Sequence, residues 1–303
     1  MSTVTVVKAQ GYGKKERYKA IYESLKPIEK DIRGAVKGKD MIIIKPNLVS
    51  VTNQLAATHS EHIKAILDFL TEFWNKPIVI AESAALGRAS DGYKNYGYSE
   101  LKKEYDIELL DLDDYDYEYL AIIDKEFKPI EIKVSKIMLS NKNYIISAAK
   151  IKTHDTVVTT LSLKNVVMGS ILSCDKQKMH QGIKQINYNL FLLAKALKPS
   201  LAVMDGVVGM QGNGPVNGYP INLGVAVSSL DFLAADKVCC DLMGINFENV
   251  GYLYYCWLAG MGNVENIKIV GSSVEQCRKK FKLHDTVEEQ YKWKDKRIIK
   301  LIK

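Results

Sequence analysis

The stretch from Lys150 to His180, KIKTHDTVVTTLSLKNVVMGSILSCDKQKMH, gathers cationic and hydroxyl side chains more densely than any other part of the chain. If the backbone stays extended beyond Ala149, the two-residue period of a strand brings Lys150, Lys152 and His154 to one face. Lys164-Asn165 and then Lys176, Lys178 and His180 come after them, with Thr153, Thr156, Thr159, Thr160 and Ser162 as hydroxyl donors. Ammonium groups and imidazoles in such a cluster can clamp carboxylate or phosphate oxygens. Crowded cations also lower a lysine pKa toward the range of a base or a Schiff-base nucleophile. A solvated basic loop is the competing reading.

The residues that end each apolar run extend this picture. Ile42-Ile43-Ile44 leads into Lys45-Pro46-Asn47, and Ile78-Val79-Ile80 into Ala81-Glu82; Ile145 to Ala149 leads into Lys150, and Leu201 to Met204 into Asp205-Gly206. Open α/β sheets bind ligands at the carboxyl ends of their strands. Parallel neighbours would therefore bring Lys45, Glu82, Lys150, Lys152, His154 and Asp205 around one crevice. The expected catalytic groups are Lys152, His154, His180, Asp205 and Glu82. Lys45, Asn47, Lys150, Thr153, Lys164 and Asn165 are the expected anion ligands, joined by Gly212 and Gly214 of the Gly-rich segment 206–218 if that segment cradles phosphate rather than forming a lid or crossover. It has neither the GxxxxGK[ST] nor the GxGxxG pattern. His154, His180, Asp205 and Asp236 are metal-ligand candidates by residue type, without a strong ligand spacing. His59 and His62 read as exposed or capping residues at a helix start.

Short β-branched runs alternating with amphipathic stretches position these groups, and that alternation indicates an α/β fold with a mostly parallel sheet flanked by helices. Val4–Val7, Met41–Ile44, Ile78–Ala81, Glu108–Leu112, Asn143–Ala149, Leu201–Met204, Leu223–Val227 and a run within 263–271 read as strands. Helices are expected over 15–36, divided at Pro27, and over 61–74, 98–105, 186–197 and 232–243. Alternation in Ile130-Glu131-Ile132-Lys133-Val134 places a hairpin insertion at 113–136. The division is an α/β body over 1–271 and a charged C-terminal elaboration, 272–303, packing on it.

The 303 residues carry a net charge of +7, spread along the chain, which favours a small anionic ligand over nucleic acid. Hydrophobic residues at 47% and charged residues at 25% exclude disordered and coiled-coil classes. The uncharged segment 206–230 is broken by Gly and Pro, and 250–264 is too short for a membrane span. The N-terminus lacks the pattern of a secretion signal, so the expected location is cytoplasmic. Cys174, Cys239, Cys240, Cys256 and Cys277 contain no CxxC pair, which argues against an iron–sulfur cluster. Tyr252 to Leu258 is either a subunit contact in an oligomer or a buried helix.

KPN at 45–47, Glu82, KIKTHDTVVTTLSLKN at 150–165 followed by Gly169 and His180, DGxxGMxGNGPxxG at 205–218 and DxxAADxxxxxxxG at 231–244 together resemble the DUF362 family. The likeness runs from about residue 40 to 271. The family is defined as a domain of unknown function, so the resemblance implies no activity; some members carry an appended ferredoxin module, whose Cys pattern this chain lacks. A looser similarity to the N-terminal architecture of lactate-racemase-like proteins is an analogy of fold. The expectation is an enzyme using Lys, His and Asp acid–base chemistry on an anionic small molecule, with a divalent metal or a nucleotide as candidate cofactors. The alternative is a non-catalytic protein that binds a metal, nucleotide or cofactor.

Overall fold

The computed structural model describes residues 1–302. Twelve strands form: β1 Ser2–Lys8, β2 Met41–Lys45, β3 Ile78–Glu82, β4 Ile107–Asp111, β5 Tyr117–Ile123, β6 Pro129–Ser135, β7 Asn143–Thr153, β8 Thr159–Thr160, β9 Leu201–Asn213, β10 Asn217–Ile221, β11 Val225–Ser229 and β12 Ile267–Gly271. Ten of them make one sheet in the order β12-β1-β11-β9-β7-β2-β3-β4, with β10 added to β9 and β8 to β7. The block from β9 to β4 is parallel, whereas β11 runs antiparallel to both β9 and β1. The inserted hairpin, β5-β6, is a sheet of its own.

Helices cover both faces because the strands bury side chains on both. Ile43, Val79, Ile145 and Ala149 share one core with Leu163, Val166 and Val167 of the helix Ser162–Ser170 and with the helices Ile183–Ala194, Phe232–Met243 and Gly251–Leu258. Ile42, Ile44, Ile80, Ile146 and Ala148 point the other way, toward the helices Lys14–Leu25 and Ser60–Thr71. This is the strict alternation of a pleated strand. The expected 15–36 helix divides where anticipated: a 3-10 turn at Lys26–Ile28 accommodates Pro27, whose ring nitrogen has no proton to donate.

The structure changes several boundaries. Only Tyr98–Leu101 of the expected 98–105 helix forms. β9 does not stop at Met204 but continues for nine residues and folds back through β10, so the Gly-rich segment is a β-hairpin. Tyr252, Leu253, Tyr255 and Cys256 are buried within the Gly251–Leu258 helix, where their apolar surface serves the core. Phe281, Trp293 and Ile298 of the tail enter that same core, with the Trp293 indole donating to the Asn249 carbonyl at 3.0 Å. No helix among the described residues is long and apolar enough to cross a membrane.

The chain lays β2, β3 and β4 successively outward, then returns to place β7 on the other side of β2 and β9 beyond it. The strand order thus reverses between β2 and β7. At such a switch point the connecting loops diverge and leave a crevice above the strand ends.

Candidate functional site

A cavity of about 340 Å³ opens at this switch point, within the usual range for small-molecule sites. Lys45 ends β2, Glu82 ends β3, Lys152 lies near the end of β7, and the Ser162–Ser170 helix presents Lys164 and Asn165 to the same space. His154, His180 and Asn47 also line it, as does Lys176.

A buried ion pair anchors the floor. Lys45 Nζ lies 2.7 Å from Glu82 Oε2, which also accepts the Leu48 backbone N–H at 2.9 Å, and Lys45 Nζ donates to its neighbour's carbonyl, Pro46 O, at 2.6 Å. Burial pulls the Lys45 pKa down and pushes the Glu82 carboxyl up, while mutual attraction opposes both shifts. Asn165 ties this pair to the helix: its amide donates to Lys45 O and Ser147 Oγ, and its Oδ1 accepts from the Asn47 amide at 2.9 Å. Four residues on along the same helix face, Gly169 leaves room for the pair. A Cβ there would come within 2.0 Å of Lys45 Nζ and 2.6 Å of Glu82 Oε1.

The remaining cations are held less completely. Lys152 Nζ donates to Ala56 O at 2.8 Å, and burial followed by the Lys164 and Lys150 charges moves its pKa well down. Lys176 donates to Met168 O and Ile171 O at the end of the Ser162–Ser170 helix, and burial lowers it to about 7. Lys164 makes no hydrogen bond or ion pair among the described residues, and burial brings it to about 8 against the pull of Asp155. His154 Nδ1 lies 3.1 Å from the Thr156 backbone N and 3.0 Å from Asp155 Oδ1. Burial and then Lys164 lower His154 to about 3, so the ring is neutral at physiological pH. His180 is shifted down by the same two causes but stands exposed at the mouth. The cavity thus has four lysines against two carboxylates, Glu82 and Asp155.

Several expected members lie elsewhere. Lys150 and Lys152 share a strand face, but Lys150 sits roughly 7 Å deeper at the usual strand rise. There it faces Asp205 Oδ2 across 4.0 Å, on the side of the sheet opposite the Ser162–Ser170 helix. Because β9 continues, Asp205 is mid-strand rather than a rim residue; Arg17 Nε donates to it at 2.9 Å and the Val207 N–H at 2.9 Å. Burial opposes its ionisation, but Lys150 and Arg17 keep its pKa below the usual range. His62 is fully buried beneath this layer, not exposed, and neither ring nitrogen has a hydrogen-bond partner among the described residues.

Thr153 is turned away from the cavity and donates to Gly212 O at 2.8 Å. The hairpin glycines serve close packing rather than an anion: a Cβ on Gly214 would meet Thr153 O at 2.2 Å, and Gly212 has φ +77°. Only Pro215 and Val216 of this segment reach the cavity. Asp236 accepts the Ser162 and Leu163 backbone N–H groups at 2.8 and 3.0 Å, capping the helix that carries Lys164. The four metal-ligand candidates therefore do not converge, and the described residues contain no group of three His, Cys, Asp or Glu side chains arranged to hold a metal. Sequence reasoning placed Lys176 in the cationic stretch without counting it among the site residues, and left Gly169 without a role. The available signals were a lysine shortly after a helix end and a glycine four residues after Asn165.

A family model described as a domain of unknown function (DUF362) matches residues 42–241. A thylakoid-associated protein of Synechocystis sp. is 25% identical over 251 residues, covering 81% of this chain and 76% of that protein. A crystal structure of a Thermotoga maritima protein aligns over 78% of this chain with a TM-score of 0.47 and 13% identity, and the chain spans 60% of that protein's length.

Proposed function

Because this chain belongs to the DUF362 family, whose description assigns no activity, we propose from the chemistry of the cavity that it is an enzyme acting on a small carboxylate or phosphate. The observation that carries this reading is the excess of buried ammonium groups over carboxylates at the sheet's switch point, with Lys164 lacking any partner among the described residues. An oxyanion entering there supplies a counter-charge, in a setting where each interaction is stronger than in bulk solvent.

Lys164, with a pKa of about 8, holds both ammonium and amine populations near neutral pH and is suited to exchange a proton with the substrate. Lys152 orients a substrate oxygen from the end of β7. His154 contributes a neutral imidazole, which brings no charge of its own beside a developing oxyanion. His180, at the mouth, relays protons to solvent. Lys45, Glu82 and Asn165 act as positioning residues, since their hydrogen-bonding capacity is largely spent on one another. Asp205 is withdrawn from the catalytic set because its charge is spent on Arg17 beneath the rim.

Incubation with a mixed extract of small metabolites and detection by untargeted mass spectrometry tests the proposal. The expected result is conversion of an anionic component by the wild-type protein and not by Lys164→Gln or His154→Gln of unchanged melting temperature. Stoichiometric retention of an anion without conversion assigns the chain to the non-catalytic alternative, and conversion that survives both substitutions overturns the roles of Lys164 and His154.

A further inference from the structure

We propose that the cavity selects an amphipathic anion, with its charged head on the lysine floor and a short apolar tail along a fixed rim. This inference rests on the anion-binding reading and specifies the substrate class. The buried Lys45, Glu82 and Lys152 form the floor, while Val49, Ala85, Leu86, Met168, Pro215 and Val216 give the lining an apolar part beside the polar Asn47, Ser83, Thr160, Asn165, Ser173 and Gln177. At about 30 Å³ per water the cavity holds roughly eleven water volumes, and a lone phosphate or carboxylate fills half of that at most. The remaining space can take a tail that lies against the apolar residues of the lining.

Leu86 is the pivotal wall residue, for it is 56% exposed and yet fixed in place. Its backbone N–H donates to Val49 O at 3.0 Å, and it forms a parallel bridge with Ser50. The next residue, Gly87, has φ +104°, and a Cβ there would lie 2.6 Å from a Val51 methyl, so the loop takes a path that only glycine allows. The Asn53 amide donates to Val216 O at 2.9 Å and fastens the hairpin tip. Two apolar residues of the lining are thus held by hydrogen bonds to their backbones. A single exposed leucine is ordinary on a protein surface. A leucine fixed on the wall of a cavity with a cationic floor has a geometry that would bury it against an incoming tail.

The charge asymmetry sets the orientation: head inward, tail toward Leu86 and Val216. Affinity should rise as the tail lengthens inside the cavity and level off once it passes the mouth.

Calorimetric titration with acetate, butyrate, hexanoate and octanoate below their aggregation limits, with the matching alkyl phosphates and with 1-hexanol as an uncharged control, tests this. The expected result is about fourfold tighter binding per added methylene until a plateau, with hexanol far weaker than hexanoate. The carboxylate and phosphate arms distinguish the two head groups. Leu86→Ser should weaken hexanoate by threefold or more and leave acetate unchanged, and Val216→Ser should act likewise; neither side chain belongs to the buried core, so the fold is retained. Affinity independent of tail length overturns this inference while the anion site stands. A slope that persists in both variants overturns the assignment of the rim. Absence of binding by every anion overturns the underlying reading together with this one.

Discussion

Lys150 and Lys152 lie two residues apart on β7, both without measurable exposure, and their surroundings differ completely. Beneath the rim, Lys150 joins Arg17, Asp205 and His62 between the sheet and two helices, where Arg17 satisfies the carboxylate. Above it, Lys152 joins Lys45, Lys164 and Lys176 around an opening that two carboxylates do not neutralise. The lower group is enclosed within the protein, with Arg17 on the carboxylate and Lys150 Nζ without a hydrogen-bond partner among the described residues, whereas the upper group lines an opening that something from outside can enter. Burial of charge and an excess of cations are therefore no sign of a ligand site by themselves; the opening beside the upper group is what distinguishes the two.

The largest expected effect falls on the closed group. Asp205→Ala leaves Arg17 and Lys150 buried without their counter-ion, and breaking such a pair from one side costs about 3–5 kcal/mol. Urea denaturation measures this, and a loss below about 1 kcal/mol would show that the lower cluster is not held by its carboxylate.

Next comes the contrast between Lys150→Met and Lys164→Met. Both lysines have folded pKa values of about 8, below the unfolded value near 10.4. Between these limits the unfolded chain binds the proton more tightly, so stability should rise with pH across that window, by roughly 3 kcal/mol for each lysine. Below pH 8 both states are protonated and the burial penalty is fully present. Either substitution should reduce the pH slope by a similar amount, but only Lys164→Met should abolish the weakening of butyrate binding above pH 8. Equal loss of butyrate affinity in the two variants would erase the distinction between the groups.

The smallest effect on stability is that of Gly169→Ala. Overpacking against Lys45 costs about 1–3 kcal/mol, offset in part by up to about 1 kcal/mol from better helix propensity. Binding should suffer more than folding, because the added methyl displaces the Lys45–Glu82 pair. Unchanged butyrate affinity in this variant would remove that pair from the positioning set.

Much of the fold was legible because strand and helix periods are local. The hairpin at 113–136, the break at Pro27 and the Phe232–Met243 helix all stem from short-range pattern. Part of the site was legible for the same reason: Lys45, Glu82, Lys152 and His154 come after apolar runs, and such runs end where the sheet meets loops. Asp205 misled because Gly206 and the Gly-rich segment after it read as a break. In fact Val207, Val208 and Met210 carry β9 onward and β10 pairs with it, keeping the glycines in a strand. Leu86 stayed hidden, and Lys176, though part of the cationic stretch, stayed outside the expected site residues, because neither lies at a strand end. A helix terminus and a loop bridge, both contacts with distant segments, place them at the cavity.

The sequence by itself determined the α/β alternation, the positive balance and the set of groups able to bind an anion, since these depend on residue type and on periods of a few residues. Only the tertiary structure decided which cations share a space. Strand order, set by which hydrophobic faces pair, places the reversal between β2 and β7, and the length of each strand fixes how deep each charge lies. Those two quantities separate Lys150, sealed against Asp205, from Lys152 and Lys164 at the opening.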